Sequence, residues 1–421
     1  VENVVAPRKP ALVFIFITLF LDIFGVGLVI PILPRLVESL QGGNVAAASH
    51  TVGALASLYG LMQFVFAPIL GSLSDQFGRR PVILSSLLGS GLDYLLLAFA
   101  PTLPWFFIGR AINGISGANI TAATAYIADI SPPEKRAANF GIIGAAFGLG
   151  FIAGPAVGGL LGNHDLRLPF LVAAGMTLVN WLYGWFVLPE SLAPENRRKF
   201  SWKRANPLGS LAALKRHPVV AGLSISFFLQ KLSEYSLHAT WVLYTGYRYG
   251  WTSGQVGLSL ATVGLSAAIV QGCLTRRIIP ALGEVLSLKS GLIVAGLAMA
   301  GYGFATEGWM IYALLVVGSM GGIAGPAMQG LISCSTPANE QGAVQGALTS
   351  LGSVAGFIAP LIGTGLFGYF IGDTAPAHLP GAPFWLGGLL TFSALAVALK
   401  TLKRHPPVDH RTKTGRSIAE V

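Results

Sequence analysis

Charge is what this chain has least of: only 10% of its 421 residues are Asp, Glu, Lys or Arg, against 53% hydrophobic. A soluble domain carries roughly 25% charged residues, so this chain cannot clothe a water-soluble globule of its own size. Cysteine is nearly absent as well. Cys273 and Cys334 are the only two, which excludes a disulfide framework and a thiolate metal site. Lying in or at the ends of apolar segments, both are expected to be buried thiols. The seven His residues form no ligand cluster, so no metal is expected. Nucleophile–base sets and phosphate-binding loops are missing, and the Gly-rich segments lie within helical runs rather than after strands. An enzyme is therefore not expected, nor is a cofactor. The net charge of +10 has no soluble basic domain to carry it, which excludes a nucleic-acid partner.

What the chain has is long apolar runs. A spanning helix needs about 20 mostly apolar residues, and twelve segments qualify: 11–33, 47–70, 81–100, 103–128, 138–162, 169–188, 218–244, 253–275, 287–305, 308–334, 342–370 and 382–401. The first is too long for a signal-peptide core of ~7–15 residues and is expected to stay in place. Glycine is abundant, at 54 residues, as suits helices whose backbones approach closely in a membrane. The expected fold is an all-α membrane protein with twelve transmembrane helices.

Basic residues orient it. With the N-terminus inside, only Arg35, Arg167 and Arg248 fall in outer loops, while Arg110 and Lys231 fall within helices. The rest of the 27 Lys and Arg lie on the inner side. Both termini are thus expected in the cytoplasm. The one long polar stretch divides the chain into a six-helix half (1–189), a cytoplasmic central loop (190–217), a second six-helix half (218–402) and a cytoplasmic tail (403–421). A repeat supports two pseudo-symmetric halves. At an offset of 205 residues Pro132 matches Pro337, Gly141 matches Gly346, Pro155 matches Pro360 and Gly158 matches Gly363. Repeats of this kind are a plan of transporters.

Charges inside the hydrocarbon cost at least ~2.5–3.5 kcal/mol each at a helix centre and need a reason. Asp22 lies midway along the first segment. Burial raises a carboxylate's pKa, so its protonation can follow the state of a site; the alternative is a neutral structural Asp. Arg110 either stabilises a nearby carboxylate or snorkels to the surface. Lys231, Glu234 and His238 share one helical face, either lining a cavity opposite Asp22 or solvating a vestibule. Gln63, Asn113, Asn119 and Gln329 are further polar candidates for a substrate cavity. Trp241, Tyr244, Phe227 and Phe228 are candidates for its apolar walls.

The loop Gly71-Ser-Leu-Ser-Asp75-Gln-Phe-Gly78-Arg79-Arg80-Pro81, with Gly154-Pro155 in the fifth segment and Gly109-Arg110 in the fourth, resembles the signatures of the major facilitator superfamily. Leu58 to Leu97 resembles its tetracycline-efflux-like drug/proton antiporters most closely. The resemblance implies a gating charge relay of Asp75, Arg79 and Asp129, with Arg80, Gly154 and Pro155 in the gating motifs. It also matches Asp93 to a family position. From the residues themselves, proton coupling is expected through Asp22, Glu234 or His238, and the substrate cavity is expected to include Lys231, Arg110 and Trp241. Where those antiporters carry ionisable residues in helices 8 and 9, this chain has Ala267 and Ala295. The function implied is proton-coupled efflux of amphiphilic drugs by alternating access, from a monomer in a bacterial inner membrane. A metabolite uniporter or symporter of the same fold is the alternative, and a non-transporting receptor the more distant one.

Overall fold

The computed structural model describes residues 9–117, 119–202, 214, 216–337 and 340–406, and every regular element among them is helical. In lipid a backbone must satisfy its own polar groups, which leaves helices as the natural solution for apolar runs of this length. The elements are α1 (Lys9–Val29), α2 (Leu33–Leu40), α3 (Val45–Phe77), α4 (Arg79–Phe99), α5 (Leu103–Ser116), α6 (Asn119–Ile130), α7 (Pro133–Gly162), α8 (Leu168–Val187), α9 (Pro218–Tyr249), α10 (Ser253–Ile269), α11 (Thr275–Leu282), α12 (Glu284–Phe304), α13 (Gly308–Ser319), α14 (Ala324–Cys334), α15 (Gln341–Ile371) and α16 (Ala382–Arg404). A π-helical turn, Val270–Leu274, joins α10 to α11, and a 3-10 turn, Met320–Ile323, joins α13 to α14. With α5 and α6 counted as one rod and α2 as an extension of the first, the result is twelve rods.

Ten of these rods are long and apolar enough to cross a membrane. The other two are α5–α6, described in two pieces, and α9, which carries Lys231, Glu234, His238 and Arg248. Local chemistry sets several ends. The Asn44 side chain accepts from the Ala47 amide at 2.9 Å to start α3, and a Thr252–Gln255 capping box starts α10. Proline opens α7 and α9, where its missing N–H costs nothing. Three details differ from the expected segments. A short α2 follows Pro31; the eighth rod runs on through α11 and takes Arg276 and Arg277 out of the loop; and both Cys273 and Cys334 are exposed rather than buried.

The halves are related by the offset read in the sequence. It carries α4 onto α12, and Gly78 onto Gly283, both with positive φ (105° and 83°) at the break between two rods. Packing obeys the same exchange. α7 lies against α1 and α10, and α15 lies against α9 and α3. Each half thus lends one proline-containing helix, with Pro155 or Pro360 inside it, to a seam with the other. At the seams side chains give way to backbone. A Cβ on Gly60 would lie 2.9 Å from the Gly356 carbonyl oxygen, and one on Gly257 would strike the carbonyl of Pro155. Further along, towards the end that carries Arg79, the rods part. Gln341, Gln345 and Thr349 of α15 are exposed there, and a Cβ added to Gly144 or Gly148 of α7 would meet nothing within 4 Å. The two halves are therefore in backbone contact along these seams and part towards the Arg79 end, leaving a space between them that opens there.

Candidate functional site

Three clusters of polar side chains interrupt the apolar packing. The first sits at the open end, where α3 turns into α4. Arg79 is only 8% exposed. Its guanidinium donates to Asp75 Oδ1 at 2.6 Å, to Ser74 Oγ at 2.6 Å and to Asp129 Oδ2 at 3.1 Å. One cation thereby ties α3, α4 and α6 together with charge-assisted bonds. Arg80 does not join that set. It donates to the Trp185 carbonyl at 2.6 Å and lies over the Trp185 ring. Sequence reasoning missed Glu190, whose carboxylate accepts from the backbone N–H groups of Arg79 (2.8 Å) and Arg80 (3.3 Å). An anion at the first turn of α4 satisfies orphan amides and complements the helix dipole. The only hint in the sequence was an acidic residue just past the sixth apolar run. Glu340, at the start of α15, has a comparable place. A His217 ring nitrogen at 2.9 Å and the Arg216 guanidinium at 3.0 Å hold its carboxyl below the usual carboxylate range.

Gly78 makes the first cluster possible. Its φ of 105° suits glycine alone, and a Cβ there would sit 2.7 Å from the Glu190 Cδ. Gly78→Ala should therefore destabilise the detergent-solubilised protein by about 1–3 kcal/mol from the backbone conformation, with a further loss from the displaced Glu190. Gly283→Ala is the internal control. It has the same kind of positive φ but nothing within 4 Å, so thermal unfolding should show a smaller shift. Equal shifts would remove the role assigned to Glu190.

The second cluster lines the first half at mid-height. Asp22 is 8% exposed and Asp93 fully buried, so the carboxyl of Asp22 faces protein rather than lipid. Asn113 donates to Asp93 Oδ2 at 2.7 Å, and the Arg110 guanidinium is 3.9 Å from the same oxygen. Arg110 also lies over the ring of Tyr59, 5.7 Å from its centroid. Of the two readings open for Arg110, snorkelling does not match a side chain 12% exposed beside a buried carboxylate. Gln63 donates to the Tyr59 hydroxyl at 2.9 Å. Tyr94, the neighbour of Asp93 in α4, packs against α1 one turn from Asp22, where a Cβ on Gly25 would lie 3.4 Å from its hydroxyl.

The third cluster is the face of α9. Lys231 donates to Glu234 Oε2 at 2.8 Å, and His238, two turns from Lys231, is exposed. Tyr235 of this face lies against α15, 3.8 Å from where a Cβ on Gly356 would stand, and the Gly356 backbone meets Gly60 of α3, so the third cluster reaches the seam. Gln329 belongs to the same wall, where its Oε1 accepts from Gln345 at 3.0 Å. Trp241 is placed elsewhere. It is 3% exposed, its indole donates to Ser259, and it packs with Tyr302 and Phe384 inside the second half. Tyr244 belongs to that aromatic core too. Gly154 and Pro155 lie at the α1–α7 crossing, where a Cβ on Gly27 would be 2.9 Å from the Gly154 Cα. The side chain of Asn119 lies outside the described residues.

Against known proteins, the family model described as Major Facilitator Superfamily matches residues 15–360. The chain is 40% identical over 357 residues to the tetracycline resistance protein, class C, of Escherichia coli, covering 85% of this chain and 89% of that one. Among solved structures it is similar to the human organic anion transporter MFSD10 (TETRAN), at 26% identity and TM-score 0.68, covering 93% of this chain and 99% of that one. The nucleoside transporter NupG shares the fold at 12% identity and TM-score 0.77, with the same coverage. Twelve rods in two pseudo-symmetric halves, a cavity between them and charged clusters on its walls are thus accompanied by similarity along nearly the whole chain: this multi-pass membrane protein belongs to the Major Facilitator Superfamily and is a secondary transporter.

Proposed function

We propose that the protein exports amphiphilic small organic molecules in exchange for protons, across a bacterial inner membrane, with both termini in the cytoplasm. The observation that carries this reading is the set of ionisable groups inside the spanning rods of both halves. The first half holds the buried Asp22 and the Asp93–Arg110 pair, and α9 of the second holds the Lys231–Glu234 pair with His238 on the same face. Ionisable groups inside a membrane are expensive and mark ion or substrate pathways. A carboxyl that binds a proton when the cavity faces one compartment and releases it to the other couples the two movements. The basic end with Arg79, Arg80 and Arg216 would be cytoplasmic by the positive-inside rule, so the cavity described above opens inward. Alternating access then requires the Arg79–Asp75–Asp129 cluster to rearrange with each cycle, with Gly154 and Pro155 at the moving α1–α7–α10 contact.

The similar proteins named above carry tetracycline resistance and organic anion transport in their names, which supports an amphiphilic substrate. Ala267 and Ala295, which stand where the similar antiporters carry ionisable residues in helices 8 and 9, have no group that can hold a proton. Coupling is therefore assigned to Asp22, with Glu234 and His238 as the other candidates. The test is reconstitution in liposomes under an imposed pH gradient. Substrate should accumulate on the acidic side, and a protonophore should abolish the accumulation. Flux that equilibrates the substrate and ignores the gradient would replace antiport with uniport.

A further inference from the structure

Behind the Lys231 side chain lies a pocket of about 220 Å³ between α9, α14 and α15. Lys231, Tyr235, Gln329, Gln345, Thr349 and Ser353 supply its polar wall, and Phe227 lies beside them. Its chemistry has a sign. The Lys231 ammonium has three donors and uses one on Glu234. Gln345 gives one amide hydrogen to Gln329 Oε1, leaving its second and both of those on Gln329 free. Thr349 and Ser353 return their hydroxyl protons to the carbonyls of Gln345 and Thr349. Carboxylates are not among the lining residues, and Glu234, the nearest, is already engaged. An incoming cation would meet Lys231 with like charge, whereas an anion would meet a partly unsatisfied ammonium and free amide donors. The rings of Phe227 and Tyr235, each with its centroid 5.8 Å from Lys231 Nζ, keep the ammonium in place. At this volume, below the ~300–1,000 Å³ usual for drug sites, the pocket holds a head group while the rest of a larger ligand lies in the open cavity.

We infer that this pocket is an anion subsite, that the substrates are amphiphilic organic anions with a carboxylate or comparable acidic group, and that Glu234 competes with the bound anion for Lys231. This deepens the export reading by naming its substrate class, but binding does not depend on coupling. A ligand anion would replace Glu234 as the partner of Lys231, so the two variants of the pair should act in opposite directions.

The test is calorimetric titration of the purified full-length protein, without a gradient, with 2-naphthoate, 2-naphthamide and 2-naphthylmethylammonium. Naphthoate should bind at least about tenfold more tightly than either of the others, the scale of a charge-assisted contact. Lys231→Gln should weaken naphthoate by about tenfold or more and leave naphthamide unchanged, while Lys231→Arg should keep most of the affinity. Glu234→Gln should tighten naphthoate severalfold, because the internal competitor is gone. Thermal unfolding of the same samples shows that each variant is folded, and Gln345→Leu gives a second, uncharged probe of the wall, expected to weaken naphthoate modestly. Equal affinity for the three probes, no measurable naphthoate binding, or weaker naphthoate binding in Glu234→Gln would overturn the inference. Naphthoate binding as described in a protein whose flux ignores the pH gradient would overturn proton-coupled export alone. Coupled export of neutral or cationic drugs with no naphthoate preference would overturn the subsite alone.

Discussion

Asp22→Asn is expected to abolish substrate accumulation driven by a pH gradient while leaving the fold intact. Asn has nearly the shape of Asp and can keep its hydrogen-bond geometry, but it cannot carry a proton between compartments. Asp22 is 8% exposed, so the variant removes an ionisable group from a site that water reaches poorly, and it creates no cavity. The thermal unfolding temperature should therefore stay at or above that of the parent. The functional loss should be large, since coupling between two ligand sites is typically worth about 1–3 kcal/mol, or roughly 5–150-fold. The measurement compares two modes in the same liposomes. Substrate–substrate exchange without a gradient should continue, whereas gradient-driven accumulation should fall to the level of empty liposomes. If accumulation persists undiminished, the proton is handled on α9, and the assignment moves to Glu234 or His238.

The reason to place this weight on Asp22 is already present in the sequence. A carboxylate midway along an apolar run is legible from hydropathy alone, as are the twelve runs and the offset of 205 residues that relates Gly78 to Gly283. Periodicity is less informative about direction. On α9 it groups Lys231, Glu234 and His238 correctly on one face, but Trp241, three residues beyond His238, turns into the aromatic core with Tyr302 and Phe384. Helices in a membrane are apolar on the lipid side and apolar in the bundle interior, so an aromatic residue carries no signal of which side it faces. Glu190 escapes for another reason. It makes its bonds with the amides of Arg79 and Arg80, more than a hundred residues away in sequence, and backbone partners leave no trace in side-chain patterns. The exposed thiols of Cys273 and Cys334 follow the same logic as Trp241, because exposed and buried stretches of these helices are alike in apolar composition.

Arg110→Leu should be the most destabilising single change in the second cluster, because it strands a carboxylate. Asp93 is fully buried, with only the Asn113 amide (2.7 Å) and the Arg110 guanidinium (3.9 Å) beside its Oδ2. Among the described residues its Oδ1 has no hydrogen-bond partner, and Gly109 presses close on that oxygen. Taking away the cation leaves the Asn113 amide alone against that buried charge, a loss of about 3–5 kcal/mol for a broken buried pair. The Arg110 stem also covers the Tyr59 ring, but Leu replaces much of that apolar contact. Asp93→Asn removes the charge from the more deeply buried partner and leaves a guanidinium that is still 12% exposed, so its cost should be smaller. The double variant Arg110→Leu/Asp93→Asn should recover most of the stability lost by Arg110→Leu, as the coupling term of a double-mutant cycle. Thermal unfolding of the four proteins in detergent measures that term directly. If the two substitutions merely add, Arg110 does not compensate Asp93, and its place over Tyr59 is the whole of its contribution to the fold.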